Sequence, residues 1–90
     1  MSVYVDSPRF MKKGGRKRYC HLVADTFDEL HSFALSIGVK RHFFHSSASW
    51  QHYDLSEELH SKALAFGAVE VSSRVIVDVS KRMMYMGQSL

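Results

Sequence analysis

Apolar residues recur at the spacing of a helix face over residues 27–37. Thr26 precedes this stripe and Glu29 follows three residues later, which is the pattern of a capping box at a helix N-terminus. Gly38 comes directly after the stripe, and glycine commonly ends a helix. The sequence therefore predicts a first helix here, with one buried face.

Two further stretches have helical spacing. One spans residues 55–66, begins near Asp54 or Ser56 and is followed by a glycine. The other spans residues 72–86 and is capped by serine. Alternating valines within residues 75–79 also fit a strand, because β-branched residues favour sheets. We predict a helix there, since Val, Ile and Met side chains share one helical face.

Short β-rich segments lie between the helices, at residues 2–5, 19–24, 39–45 and 68–71. Strands that alternate with helices favour parallel pairing through right-handed crossovers. We therefore predict an α/β fold in a single domain over residues 1–90, with a small sheet of three or four mostly parallel strands and about three helices. The predicted core packs sheet residues against the first two helices: Val3, Val5, Leu22, Val69 and Val71 against Leu30, Phe33, Ile37, Leu59 and Phe66.

Composition narrows the classes of protein that fit. The chain has 90 residues, of which 46% are hydrophobic and 23% charged, so it is globular rather than disordered. No apolar run approaches the roughly 20 residues of a membrane span, and no signal-peptide core is visible. The one cysteine, Cys20, excludes an internal disulfide and a cysteine-based zinc finger. We therefore expect a cytoplasmic protein without membrane association.

Positive charge is concentrated in one segment. Residues 9–18 carry Lys or Arg at six positions and no acid, although the net charge of the chain is only +3. Adjacent glycines in this segment favour mobility, so we predict a flexible basic loop. It is either a solvated connection between strands or a contact for the phosphates of nucleic acid or another anion. The candidate phosphate contacts are Lys12, Lys13, Arg16, Lys17 and Arg18.

Five short strings occur in a fixed order: YVD at 4–6, HLVADT at 21–26, ELHSFA at 29–34, HYDL at 52–55 and GAVEV at 67–71. Together they resemble the domain of unknown function 4031 family, small proteins of bacteria and their phages, over about residues 2–74. Arg9 fills the place of an arginine that follows Tyr-Val-Asp in members. The basic segment and a Met-rich tail depart from the family pattern. The family name carries no activity, so the resemblance implies no catalytic role.

Acidic and histidine side chains follow the predicted strands. Asp6 and Asp25 come after the first two strands, and His52 and Asp54 precede the second helix. Ligands of open α/β sheets bind at strand carboxyl ends, so these residues can converge there if the segments reach one edge. With His21 they form a candidate divalent-metal set, and such a metal activates water for phosphoester hydrolysis. The metal candidates are Asp6, His21, Asp25, His52 and Asp54, and the catalytic candidates are His21, His52 and Asp54.

Each of these residues also has a structural interpretation. Asp25 and Asp54 can serve as parts of helix caps, and Asp6 can bond to the backbone of the turn that follows it. His21 can be a partly buried structural histidine. Whether the chain is an enzyme therefore stays open at this point.

Two classes of function fit the sequence. The first is a site that binds a phosphate-bearing ligand or nucleic acid, with Asp6, Arg9, Asp25 and Tyr53 as contacts and with Trp50 and Tyr53 as stacking surfaces. The second is a non-catalytic adaptor or inhibitor that binds a host protein through an apolar, Met-rich C-terminal helix, which can also form a homodimer. Neither a P-loop nor a GxGxxG motif is present, so nucleotide binding by those two motifs is excluded.

Overall fold

The computed structural model describes residues 2–10, 15–47 and 49–88. Within them, six strands form one sheet and three α-helices pack on it. The strands are β1 Val3–Val5, β2 Arg9–Phe10, β3 Arg18–Ala24, β4 Phe44–His45, β5 His52–Ser56 and β6 Val69–Glu70. The helices are α1 Phe27–Ser36, α2 Glu57–Ala65 and α3 Ser73–Gln88, and a 3₁₀ turn at Arg41–Phe43 precedes β4. None of the described helices combines the length and the apolar character needed to cross a bilayer.

The sheet is mostly antiparallel, with the order β4-β5-β3-β1-β6 and with β2 paired to β3. Among the described strands, only β1 and β6 pair in parallel. The α/β class and the three helices are confirmed, but the prediction of three or four mostly parallel strands is wrong. One reason lies in the connections: among the described residues no helix lies between β1, β2 and β3 or between β4 and β5, and short connections favour antiparallel pairs.

β5 is one of two strands that the sequence does not predict, the other being β2. Residues 52–56 were expected to lie before or at the start of the second helix, whereas they form the neighbour of the central strand β3. From Tyr53 to Ser56, buried and half-buried residues alternate: Tyr53 and Leu55 are buried, and Asp54 and Ser56 are half-buried. This alternation with period two is that of a strand.

The two faces of the sheet have separate cores. Cys20 and Leu22 of β3 pack with residues of α1 and α2 in one cluster. Val23 points to the opposite face and packs against Ile76 and Val79 of α3. The alternation of β3 therefore places α1 and α2 on one side and the start of α3 on the other.

The predicted core is confirmed for most of its residues, but Val71 packs in the second cluster, on the side of α3. Phe33 and Leu59 are partly buried against it, but Phe66 is 52% exposed and Val69 is 48% exposed, so their assignment to the core is wrong. Val69 belongs to β6 at the end of the strand order, and Phe66 is the residue at which α2 ends, so neither is covered on all sides. The predicted core residues that are fully or nearly fully buried are Val3, Val5, Leu22, Leu30 and Ile37.

Helix caps decide which acidic residues are free for other roles. Thr26 Oγ1 accepts a hydrogen bond from the Glu29 N–H at 3.2 Å, as predicted for α1. The cap of α2 is Ser56, whose Oγ accepts from the Leu59 N–H at 3.3 Å. Asp54 lies within β5, two residues before this cap. The interpretation of Asp54 as a helix cap is therefore wrong.

Candidate metal centre

Neighbouring strands bring histidine and carboxylate side chains to the face of the sheet on which α3 begins. The β3–β5 register pairs His21 with Asp54, and the β4–β5 register pairs His45 with His52. Cross-strand partners share a face, and so do residues two apart on one strand, so all four side chains lie together. We call these four residues the histidine–aspartate cluster.

Three atoms of this cluster face a common point. His21, His52 and Asp54 each offer one ligand atom, and these atoms lie within 4.8 Å of one another. Asp54 Oδ1 is 3.3 Å from His52 Nε2 and 4.0 Å from His21 Nε2. Asp54 Oδ1 is buried, yet it has no hydrogen-bond partner among the described residues. Because buried polar atoms are nearly always partnered, this oxygen is a position at which a bound group is expected.

The two imidazole rings are held so that their Nε2 atoms point to this oxygen. His21 Nδ1 lies 2.9 Å from Asp6 Oδ2, and His52 Nδ1 lies 2.9 Å from the carbonyl oxygen of Trp50. Both partners accept hydrogen bonds, so each Nδ1 carries the proton. When such a ring is neutral, its Nε2 lone pair is free to bind a metal ion.

Aromatic packing confines the rings further. Trp50 stacks on His52 with ring centroids 4.2 Å apart, and its edge meets His21 at 4.9 Å. His45 stacks on the other side of His52 at 4.9 Å. His52 is only 8% exposed, whereas the His45 side chain is 47% exposed. The cluster is thus closely packed around His52 and open to solvent at His45.

His45 is the member that the sequence analysis missed. Its Nε2 lies 3.1 Å from Asp54 Oδ2, the carboxylate oxygen that does not face the other two histidines. The sequence predicts only that residue 45 ends a short β-rich segment. Its place in the cluster depends on the pairing of β4 with β5, for which the sequence has no local signal.

The pKa values of both buried carboxylates are lowered. Burial alone would raise the pKa of Asp54, but contacts with His52, His45 and His21 outweigh it. For Asp6, burial is likewise opposed by hydrogen bonds from His21 and Ser73, and the net pKa lies below its usual value. Both groups are therefore anionic at neutral pH, as a cation site requires.

Asp25 lies away from the cluster. It accepts hydrogen bonds from the Ser2 N–H at 2.7 Å and from the Tyr4 hydroxyl at 3.1 Å. Antiparallel pairing of β1 with β3 puts Asp25 beside Ser2 and His21 beside Asp6. Ser2 and Asp6 are four residues apart, which along a strand is a distance of roughly 13 Å. The expected convergence of Asp25 with Asp6 is therefore not met.

Tyr53 and Arg9, both predicted as ligand contacts, lie outside the histidine–aspartate cluster. Tyr53 is 1% exposed on the opposite face, where its hydroxyl lies 2.7 Å from His31 Nδ1, so no ring face is open for a base to stack on. Arg9 is exposed in β2 and its guanidinium hydrogen-bonds Ser73 Oγ at the start of α3. Arg9 is thus linked to the cluster through Ser73 and Asp6.

The basic segment is partly described. Lys12 and Lys13 lie outside the described residues. Arg16, Lys17 and Arg18 line a cleft of about 300 Å³ together with Phe10, Ser56, Glu57 and Glu58. Arg18 forms an exposed ion pair with Glu57, so acidic side chains of α2 offset part of its charge. Arg9 and Phe10, predicted as part of a loop, form β2 instead.

A family model described as a protein of unknown function (DUF4031) matches residues 3–83 of the 90-residue chain. The chain belongs to the DUF4031 family. This confirms the resemblance noted in the sequence, and the match spans the histidine–aspartate cluster together with Asp6 and Ser73. The description of DUF4031 assigns no activity. No curated protein and no solved structure matches the chain.

Proposed function

We propose that this protein binds a divalent transition-metal ion through His21 Nε2, His52 Nε2 and Asp54 Oδ1, and that the ion binds a phosphate-bearing ligand. The observation that supports this most is the convergence of two imidazole nitrogens on a buried carboxylate oxygen that has no hydrogen-bond partner among the described residues. Two imidazoles and one carboxylate form a donor set suited to zinc, iron or manganese. Three protein ligands leave coordination positions for water or substrate.

The spacing of the ligand atoms is compatible with such an ion. Metal–ligand distances of about 2.0–2.2 Å in a tetrahedral site separate the ligand atoms by roughly 3.4 Å. The separations from Asp54 Oδ1 are 3.3 Å to His52 and 4.0 Å to His21. The ligand atoms of the two histidines lie within 4.8 Å of each other, so the imidazole rings move closer together to reach the metal-bound geometry.

A phosphate-bearing ligand fits the surroundings of this site. An ion with open positions binds phosphate oxygens, and water bound to such an ion is activated for phosphoester hydrolysis. Arg9, which is linked to His21 through Ser73 and Asp6, adds a positive charge to this hydrogen-bond network. Hydrolysis of a phosphoester is thus the reaction class to assay, in the expected cytoplasmic setting.

The alternative, an adaptor that docks through a Met-rich helix, has less support. Met83 is 1% exposed and packs in the core with α1 residues. Met84 Sδ accepts a hydrogen bond from the Gln51 N–H at 3.3 Å. Two methionines of this helix thus have internal partners, which leaves less apolar surface for a protein partner.

Metal content of untagged protein tests the proposal, with His52→Ala as the variant and His42→Ala as its control. His42 is exposed and lies outside the cluster, so its replacement removes one imidazole and leaves the candidate ligands. We expect wild type and His42→Ala to bind one Zn²⁺ or Mn²⁺ in calorimetric titrations. His52→Ala should lose more than the roughly 10–100-fold in affinity that removal of an outer-shell partner costs.

The second stage uses the metal-loaded protein. Inorganic phosphate is titrated as the anionic probe, and bis(p-nitrophenyl) phosphate is used as a general phosphodiester substrate. Equal metal affinity in wild type and His52→Ala would contradict the metal site. Normal metal binding with neither phosphate binding nor hydrolysis would contradict the phosphate ligand alone.

A further inference from the structure

We infer that Asp6 is the positioning residue of the metal centre: its carboxylate holds the His21 ring so that Nε2, and not Nδ1, faces Asp54. The use of this orientation for metal ligation rests on the proposed function. The orientation itself does not, because it is set by contacts within the protein.

The Asp6 carboxylate is almost fully buried, and hydrogen bonds to His21 and Ser73 compensate for this burial. It is 1% exposed, and an isolated buried charge would be strongly destabilising. Oδ1 accepts the main-chain N–H of His21 at 2.7 Å, and Oδ2 lies 2.9 Å from Nδ1 of the same residue. One carboxylate thus holds both the backbone and the ring of His21.

The fold leaves this carboxylate little freedom. Antiparallel pairing of β1 with β3 places Asp6, just beyond β1, beside His21. The main-chain bond fixes the carboxylate plane, and the second oxygen then meets the ring. A third contact comes from Ser73 Oγ, which donates to Oδ2 at 3.0 Å from the first turn of α3. Arg9 in turn donates to Ser73 Oγ, which extends the network to β2.

These contacts argue against Asp6 as a direct metal ligand, the role considered from sequence. Both of its oxygens already accept hydrogen bonds, and Asp6 is not part of the group whose ligand atoms lie within 4.8 Å. A carboxylate that accepts Nδ1–H fixes the tautomer of a ligand histidine and raises the basicity of its Nε2. Asp6 therefore acts on the metal through His21.

The test compares Asp6→Asn with Ser73→Ala by two measurements. Nitrogen NMR of the metal-free protein reports which ring nitrogen of neutral His21 carries the proton. We expect Nδ1–H in wild type and in Ser73→Ala, which keeps both contacts between Asp6 and His21. In Asp6→Asn the side chain can donate as well as accept, so the preference for Nδ1–H should weaken. Zn²⁺ affinity should fall about 10–100-fold in Asp6→Asn and by much less in Ser73→Ala.

A double-mutant comparison separates positioning from a general effect on the fold. In a His21→Ala background, Asp6→Asn should cause no further loss of Zn²⁺ affinity, because the ring on which it acts is gone. An equal further loss would overturn the inference. So would an Nε2–H tautomer of His21 in the wild type, a measurement that needs no variant to fold. The expected tautomers without any metal binding would refute the proposed function and leave the positioning role intact.

Discussion

The same substitution at two positions of α1 should have very different effects on stability. Leu30 is fully buried in the core, whereas Leu35 on the same helix is 63% exposed. Leu→Ala changes helix propensity equally at both sites, so the difference between the variants reports packing alone. Each buried carbon that Leu30→Ala removes contributes about 0.8 kcal/mol to the free energy of unfolding. The cavity left behind lowers the stability further.

We therefore expect Leu30→Ala to lose about 3–5 kcal/mol of the free energy of unfolding. A domain of this length has roughly 5–13 kcal/mol in total, so the variant should lose a large part of its stability. Leu35→Ala should stay within about 0.5 kcal/mol of wild type. Urea unfolding followed by far-ultraviolet circular dichroism measures both values. Similar losses in the two variants would refute the assignment of the buried face of α1.

Two further predictions concern titrating groups. Because Asp6 and Asp54 have lowered pKa values, their contribution to stability is present above their unfolded pKa near 4 and is lost as the pH falls through the folded values. In wild type the urea concentration at the midpoint of unfolding should fall as the pH is lowered, and in Asp54→Asn it should fall less. The same pH dependence of the midpoint in both proteins would contradict this. Burial raises the pKa of Cys20 to about 12, so a maleimide at neutral pH should label Cys20 only when the protein unfolds. Rapid labelling of the native protein, detected by mass spectrometry, would show that the thiol is accessible.

The helices could be predicted because their signals are local. Thr26, Glu29 and Gly38 lie within one stretch of chain, and their spacing alone specifies where α1 begins and ends. The sheet could not be predicted in the same way, because strand partners are distant in sequence. A pattern of alternation shows that a segment is extended but not which strand lies beside it. Parallel pairing was assumed because helices alternate with the predicted strands, and this assumption was wrong.

The same error explains which site residues were misplaced. The residue types at 21, 52 and 54 indicated metal chemistry, and the structure brings them together. Asp6 and Asp25 each follow a strand, and parallel strands would end at one edge. Antiparallel strands end at opposite edges, so these two carboxylates lie apart.

The position of β1 inside the sheet has a consequence for the order of folding. β1 pairs with β3 nearby in sequence, but its other neighbour is β6, and Asp6 meets Ser73 across 67 residues of chain. Contacts between distant segments form late, because loop closure costs entropy before the contacts repay it. On a ribosome, His21, His52 and Asp54 therefore emerge before Ser73 can complete the Asp6 network. Until α3 docks on the sheet, the carboxylate of Asp6 therefore holds His21 without its third contact, the hydrogen bond from Ser73.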